Sequence, residues 1–456
     1  MGRPVTTSAA TRRWRLLGAL GLHRPELRAW ALYDLASAAV LDVVVTAVFP
    51  IYYATVVAAD VPRAVATGRF ATATTITLCS LAFLAPVVGA LADAAQARKR
   101  ALAAFLALGV TAVALLFFVR RGDWILASAL FLLANVGTDG AAVFHGALLP
   151  HVARCEELDR TSTAACALGY VGAGLVLALA MGVIERPAWF GLPAGPGLTP
   201  AQETLPARLA FLAVAAWWLL LSIPLLRTVA ELPGPAAGDR SSVLLRGTRS
   251  MVATVRQLRR HRHALLFVAA VLLYGNGVAT VVRMAVIYGA EIGLSSSALL
   301  LTVVVVDLVG TPFAVLFGAL AERIGAKRAI LAGLGVYTVS MVLAYFTRTA
   351  TQFFGLALLI ATVQGGTQAL TRSLFASLVP AERSAELFGF LAMAGRLTGM
   401  IGPAVFAAVA TITGSTRGAI LSVAVFFVAG AALLRGVDVE QGRAAAREVA
   451  PGPEAG

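Results

Sequence analysis

Six charged residues stand inside long apolar stretches of this sequence: Asp34, Asp42, Asp139, Arg283, Asp307 and Arg396. A charge at mid-membrane costs at least about 2.5 to 3.5 kcal/mol, so one retained there faces a partner or a water-filled cavity. At 1.5 Å per helical residue, Asp42 lies about 20 Å from the start of its run, Arg283 about 28 Å and Arg396 about 16 Å. Asp307 and Asp139 come about 15 and 22 Å from the outer ends of theirs. Both signs therefore meet at middle depth. An arginine offers a carboxylate paired, charge-assisted hydrogen bonds, and a carboxylate can hold an ammonium group or a proton in transit. That set suits a zwitterion such as an amino acid. The competing reading is that Arg396 and Asp307 neutralise one another inside the bundle. Asp34 and Arg372 lie near one end of their runs, where a structural or gating role is expected.

The elements that carry these residues are transmembrane helices. Of 456 residues, 59% are hydrophobic and 13% charged, against about a quarter charged in soluble domains. About twelve apolar runs of roughly 18 to 28 residues follow one another, each long enough to cross a hydrocarbon core as a helix. The ten-residue alternation of a membrane barrel is not seen. The reading is an all-α membrane protein of about twelve helices. It has a tail at 1–28, a six-helix bundle at 29–231, a basic linker at 232–263, a second bundle at 264–436 and a disordered tail at 437–456.

The net charge of +14 is distributed in short segments between apolar runs, which points to topology and not to nucleic acid. With cytoplasmic termini, about 27 of the Lys and Arg fall inside and about 8 outside, as the positive-inside rule requires. The linker, with Arg246, Arg249, Arg256, Arg259, Arg260 and Arg262, suits a basic helix at an anionic lipid surface. Three cysteines, Cys79, Cys155 and Cys166, have neither disulfide nor metal spacing. Without a Walker sequence, a serine elbow or a histidine–carboxylate cluster, no enzyme, cofactor or metal is expected. His145 and His151 do not share a helix face, and a lone histidine at a span end reads as polar lining.

Two stretches repeat half a chain apart. PVVGALADAAQARKR ends at Arg100 and FGALAERIGAKR at Arg328, setting Gly89 against Gly318 and Asp93 against Glu322. Asp93 with Arg98, Lys99 and Arg100, and Glu322 with Lys327 and Arg328, have the spacing to cap helix ends and to form ion pairs that hold one gate shut. Gly395 and Gly399, four apart, suit close helix packing. Leu148-Leu149-Pro150 matches Leu378-Val379-Pro380 in the same way, so two six-helix halves follow.

This plan, with Gly-x-x-x-Asp between the second and third spans, resembles the major facilitator superfamily. Finer features are Trp30-Ala31-Leu32-Tyr33-Asp34, Ala47-Val48-Phe49-Pro50-Ile51-Tyr52, Leu168-Gly169-Tyr170, Gly365-Gly366-Thr367-Gln368-Ala369 with Arg372-Ser373, Phe388-Gly389-Phe390 and Gly402-Pro403. In this order they resemble the autophagy-related vacuolar effluxer family and its bacterial relatives. The chain departs from that pattern at Leu35, Ser37-Ala38, His145-Gly146 and Gly275-Asn276.

The resemblance implies a secondary transporter in which the first, fourth, seventh and tenth spans line a central cavity. It thereby places Asp34, Asp42, Asp139, Asn276, Arg283, Gln364 and Gln368 on cavity helices. It also implies release of amino acids, the activity associated with the fungal members. The expected partners are a small solute, the lipid bilayer and protons, and the expected location is a bacterial cytoplasmic membrane. Alternatives on the same fold are a lysolipid or lipophilic-compound exporter and a membrane sensor or scaffold that no longer transports.

Overall fold

The computed structural model describes residues 17, 18, 20–61, 97–230, 262–291, 296–380, 383–399, 401–413 and 416–448. Gly89, Asp93 and most of the basic linker lie outside the described residues, as do the side chains of Arg283 and Arg396. Ten of the described helices are long and apolar enough to span a bilayer.

The first span, α1, runs from Pro25 to Val57. It is followed by α2 (Arg98–Leu115), α3 (Trp124–Val152), α4 (Leu158–Glu185) and α5 (Leu205–Thr228). The second set comprises α6 (Arg262–Glu291), α7 (Ser296–Ile324), α8 (Ala326–Phe346) and α9 (Ala350–Leu378). It continues through α10 (Ser384–Thr398), α11 (Ile401–Thr413), α12 (Thr416–Arg435) and α13 (Val439–Glu448). Helices α1 to α5 pack among themselves, as do α6 to α12, and the two bundles meet chiefly where α4 lies along α7 and α9. Helices α1, α2 and α4 run away from one face and α3 and α5 return to it, and the spans of the second set alternate in the same way. Arg24, Glu157, Glu322 and Arg435 consequently share one face, called here the terminal face, while Asp60, Arg120 and Arg348 lie on the opposite face.

Packing within a bundle relies on small residues, because lipid tails are as apolar as leucine and supply no hydrophobic drive between helices. A methyl group added at Gly137 of α3 would overlap the backbone of Gly109 on α2. Outward, Ile125, Leu220, Val425 and Ile412 are 66%, 61%, 66% and 84% exposed, an apolar surface that only a bilayer would cover. On the opposite face, Arg186 lies over the Trp189 ring at 5.1 Å, and such exposed aromatics suit the membrane–water interface.

Helix α1 is not uniform. Pro50 has no N–H and its ring crowds the carbonyl four residues back. The helix widens at Leu41–Ala47, where the Val48 N–H bonds to the Val43 carbonyl, five residues back. The Thr46 hydroxyl donates to the Leu41 and Asp42 carbonyls at 3.0 and 2.9 Å. Such π turns re-aim side chains and recur at functional sites. Here the widened turn carries Asp42.

The expectation of a disordered tail from residue 437 is corrected. Residues Val439–Glu448 form a helix whose less exposed side carries Val439, Gly442, Arg443 and Ala446, the spacing of one helix face. The imidazole of His263 anchors it: Nδ1 accepts from the Asp438 N–H at 3.0 Å, and Nε2 bonds Gln441 Oε1 at 3.0 Å.

Candidate functional site

Asp34 and Arg372 form the centre of the contact between bundles. Arg372 Nη2 reaches Asp34 Oδ2 at 2.7 Å and Nη1 reaches Oδ1 at 3.2 Å, a two-pronged pair. The same guanidinium donates to Ser162 Oγ at 3.0 Å and to the Ser162 carbonyl at 3.1 Å. Its Cζ lies 4.7 Å from the centre of the Trp30 ring, a favourable cation–π arrangement. One arginine of α9 thus ties together α1 and α4 of the other bundle.

His145, a residue that sequence reasoning left as polar lining, is part of this cluster. It is 2% exposed and stacks on Trp30 at 4.3 Å between ring centres. Nε2 bonds the Trp30 carbonyl at 2.9 Å; that oxygen can only accept, so Nε2 carries the hydrogen. Nδ1 then faces Asp34 Oδ1 at 3.4 Å.

Further bonds extend from this pair toward the terminal face. The Ser373 hydroxyl donates to Asp159 Oδ1 at 2.5 Å, and the Ser162 hydroxyl donates to the Ala369 carbonyl at 2.8 Å. Arg160 and Glu322 form a two-pronged ion pair at the surface, with Nη2 to Oε2 at 2.6 Å. Ser384 at the start of α10 donates to the Ala147 carbonyl of α3 at 2.8 Å. Each of these bonds joins one bundle to the other in the half of the membrane nearer the terminal face. Deeper in, Cys166 Sγ donates to the Gly365 carbonyl at 3.4 Å. Tyr170 packs so closely on α9 that a methyl at Gly365 would overlap its ring. The expected gate residue Gly318 also sits at the seam, where a methyl would overlap the Thr163 hydroxyl. At Gly395, by contrast, an added methyl would meet nothing within 4 Å among the described residues.

The other gate residues have helix-end roles. Lys99 Nζ donates to the Val229 carbonyl at 2.8 Å, just past α5. Lys327 Nζ donates to the Arg435 and Val437 carbonyls at 2.8 and 2.6 Å, at the end of α12. Arg98 is 6% exposed and donates to His151 Nε2 at 3.1 Å. Arg100 and Arg328 are exposed. Beside them, Glu157 accepts from Arg24 at 2.6 Å and from the Arg154 N–H at 3.0 Å. Partial burial pushes the Glu157 carboxyl up, but the Arg154 N–H, Arg24 and His23 outweigh it and hold the group below its ordinary range.

Toward mid-membrane, Asp42 on α1 and Asp307 on α7 come within interaction range of one another. Asp307 is 5% exposed, and its Oδ2 is buried with no hydrogen-bond partner among the described residues. The expected neutralisation of Asp307 by Arg396 falls on a side chain outside the described residues; among the described side chains the acid near Asp307 is Asp42. Asn276 is 5% exposed, its amide nitrogen bonding the Leu272 carbonyl while its Oδ1 is left unpaired. Gln364, Gln368 and Arg372 succeed one another at one-turn spacing on α9, so the two amides lie on the face that presents Arg372 to Asp34. Gln364 and Asp139 are half-buried and Gln368 is exposed. Sequence reasoning missed Asp159, Arg160 and Ser162 because each sits at a span end, where charged and hydroxyl residues are unremarkable, and it noted Ser373 only as part of a family pattern.

Two helical bundles that close over one membrane face and carry acids at their seam define a major facilitator transporter. The chain superposes on the proton:xylose symporter XylE with a TM-score of 0.68 at 15% identity, covering 92% of this chain and 98% of that one. Residues 61–447 match the family model described as vacuole effluxer Atg22 like, and the chain belongs to that family. It is 33% identical over 412 residues to the uncharacterized MFS-type transporter YxiO of Bacillus subtilis (strain 168), across 90% of this chain and 94% of that protein. Autophagy-related protein 22-1 of Aspergillus niger is 26% identical over 298 residues, 60% of this chain. The chain spans about half the length of that fungal relative, 46% of it. The protein is therefore a multi-pass integral membrane transporter and not an enzyme.

Proposed function

We propose that the protein moves a small zwitterionic solute, an amino acid, by alternating access between the units 29–231 and 264–436, joined by the linker 232–263. The observation that carries this reading is the Asp34–Arg372 pair, in which a half-buried salt bridge is the main fastening between bundles. Such a pair is costly to leave half-made, so it favours two discrete states over a continuum. Arg160 with Glu322 is the outer fastening of the same gate, and Gly318 gives the space for it to close.

Asp139, Asn276, Gln364 and Gln368 line the solute path and supply donors and acceptors. The terminal face is cytoplasmic, in accord with the excess of Lys and Arg on that side, and the membrane is a bacterial inner membrane. The word effluxer in the family description agrees with outward release.

Reconstitution in proteoliposomes tests this reading. Labelled amino acids, sugars and lysolipids are offered in parallel, with and without a pH gradient. Saturable amino-acid exchange supports the proposal. Movement of lysolipid or sugar alone overturns the cargo, and no flux of any class overturns transport.

A further inference from the structure

The groups that hold Arg372 all come from the opposite bundle, and each accepts from it. Its Nη nitrogens donate to both Asp34 oxygens and to the Ser162 carbonyl, and its Nε donates to Ser162 Oγ. These bonds, with the Trp30 ring 4.7 Å away, enclose a flat cation that has only donors to offer. His145 Nδ1, 3.4 Å from Asp34 Oδ1, turns a lone pair inward and adds no competing donor.

The enclosure is built without help from Arg372. Trp30 Nε1 donates to the His145 carbonyl at 2.8 Å while the His145 ring bonds the Trp30 carbonyl, a reciprocal clasp between α1 and α3. Tyr33 adds a ring 4.5 Å from that of His145. On its other side α1 is seated on α4: a methyl at Gly172 would overlap the Leu35 carbonyl, and one at Gly169 would lie 3.4 Å from the Asp34 carbonyl. Trp30, His145 and Ser162 are 0%, 2% and 0% exposed, so packing fixes their positions. All belong to α1, α3 and α4 of one bundle. When the bundles part at the terminal face, Arg372 leaves with α9, and a carboxylate beside an indole face remains, already shaped for a guanidinium.

We infer that Trp30, Asp34 and Ser162 form a binding site for the guanidinium group of a solute arriving from the terminal face, and that Arg372 is the tethered occupant with which the solute competes. The inference rests on the alternating-access reading and narrows its solute from any zwitterion to one that carries a guanidinium. A guanidinium matches both carboxylate oxygens and stacks on an aromatic face, whereas an ammonium is a compact point charge. A solute seated here keeps Arg372 from Asp34, so it binds the state open at the terminal face in preference to the closed one and shifts the population toward it.

The first test empties the site. In Arg372→Ala, guanidinium chloride at millimolar concentration should raise the melting temperature in detergent and then level off, because a ligand bound only by the folded protein stabilises it by mass action. Urea, of the same shape without the charge, should not do so, and the rise should vanish when Asp34→Asn is added. No rise, or a rise that survives the loss of Asp34, overturns the proposal. An equal rise with ethylammonium shows a site for any small cation and overturns the assignment to guanidinium.

The second test keeps Arg372 in place, and it decides the matter if Arg372→Ala fails to fold. With Cys79→Ser and Cys155→Ser, arginine should speed maleimide labelling of Cys166 severalfold. Citrulline, in which a urea group replaces the guanidinium, should leave the rate unchanged. Equal effects of the two, or no effect of either, overturn the proposal. Neither test measures flux, so the two readings fail separately: amino-acid exchange without a guanidinium response removes this inference alone, and a guanidinium response without flux removes transport alone.

Discussion

Lys99 and Lys327 make the same bond in the two bundles: each begins a helix after a gate loop, and each donates its ammonium to carbonyls at the end of that bundle's last span. The two lysines come from the repeated segments ending in Arg100 and Arg328, so the repeat survives as a shared way of fastening a helix end. Lysine at a helix C-terminus also meets the negative end of the helix dipole. Replacement by Met should cost roughly 1 to 3 kcal/mol, the range for a hydrogen bond to a charged group. Lys327→Met should lower the melting temperature in detergent, because Lys327 satisfies two carbonyls. An unchanged melting temperature would show that this fastening adds nothing to stability.

Removing Asp34 leaves Arg372 half-buried and unpaired, at a cost of about 3 to 5 kcal/mol. Asp34→Asn should destabilise the protein and loosen the seam, exposing Cys166. Its thiol should then react with a maleimide many times faster than in the wild type. Adding Arg372→Gln should recover part of the stability but not the slow labelling. Unchanged labelling in Asp34→Asn would show that the seam holds without the pair.

Arg160 and Glu322 are partly exposed, with side-chain exposures of 44% and 35%, so their pair is worth only about 0.5 kcal/mol to 1 kcal/mol. Arg160→Glu should shift the gate toward opening and raise maleimide access to Cys166 modestly. The exchange Arg160→Glu with Glu322→Arg should restore wild-type access. If the exchange fails to restore it, position and not charge matters at this contact.

A side chain at position 365 meets Tyr170. Gly365→Ala should push the bundles apart and lower stability by about 1 to 3 kcal/mol, the usual cost of overpacking. Tyr170→Ala in the same protein should relieve much of that loss. Thermal unfolding of the two single variants and the double variant checks this, and additive losses would rule out direct contact.

The Glu157 carboxyl is held below its ordinary range in the folded protein. A depressed acid contributes stability above its unfolded pKa, about 4.3, and loses it as pH falls through the folded value. The melting-temperature gap between wild type and Glu157→Gln should be constant from pH 7 to about 5 and shrink at lower pH. A gap that grows on acidification would contradict the assignment.

The architecture was legible because every apolar run needs a membrane-length helix, and because the repeated gate segments announce two halves. Depth was legible too: counting residues placed Asp34 and Arg372 near one face. Their pairing was not, since helix period fixes which residues share a face but not which neighbour that face meets. The same limit hid the approach of Asp42 to Asp307, two like charges that no rule of complementarity would bring together. Pro50 was the available signal for the widened turn that presents Asp42. The helix at Val439–Glu448 escaped notice because Ala, Gly, Arg and Glu dominate it, and its few inward residues are too small to mark a face.

Asp159, Ser162, Cys166 and Tyr170 lie on α4 with steps of three or four residues, and each meets α7 or α9 of the other bundle. One helix therefore works like the bolt of a lock with several teeth. A roll of α4 about its long axis would disengage every tooth together, whereas bending its end would free only one. A roll of α4 frees its own teeth in concert, while the Asp34–Arg372 and Ser384–Ala147 contacts are made by other helices. A slide of one helical turn, about 5.4 Å, would carry each tooth to its neighbour's place and give the bundles a second register in which to engage.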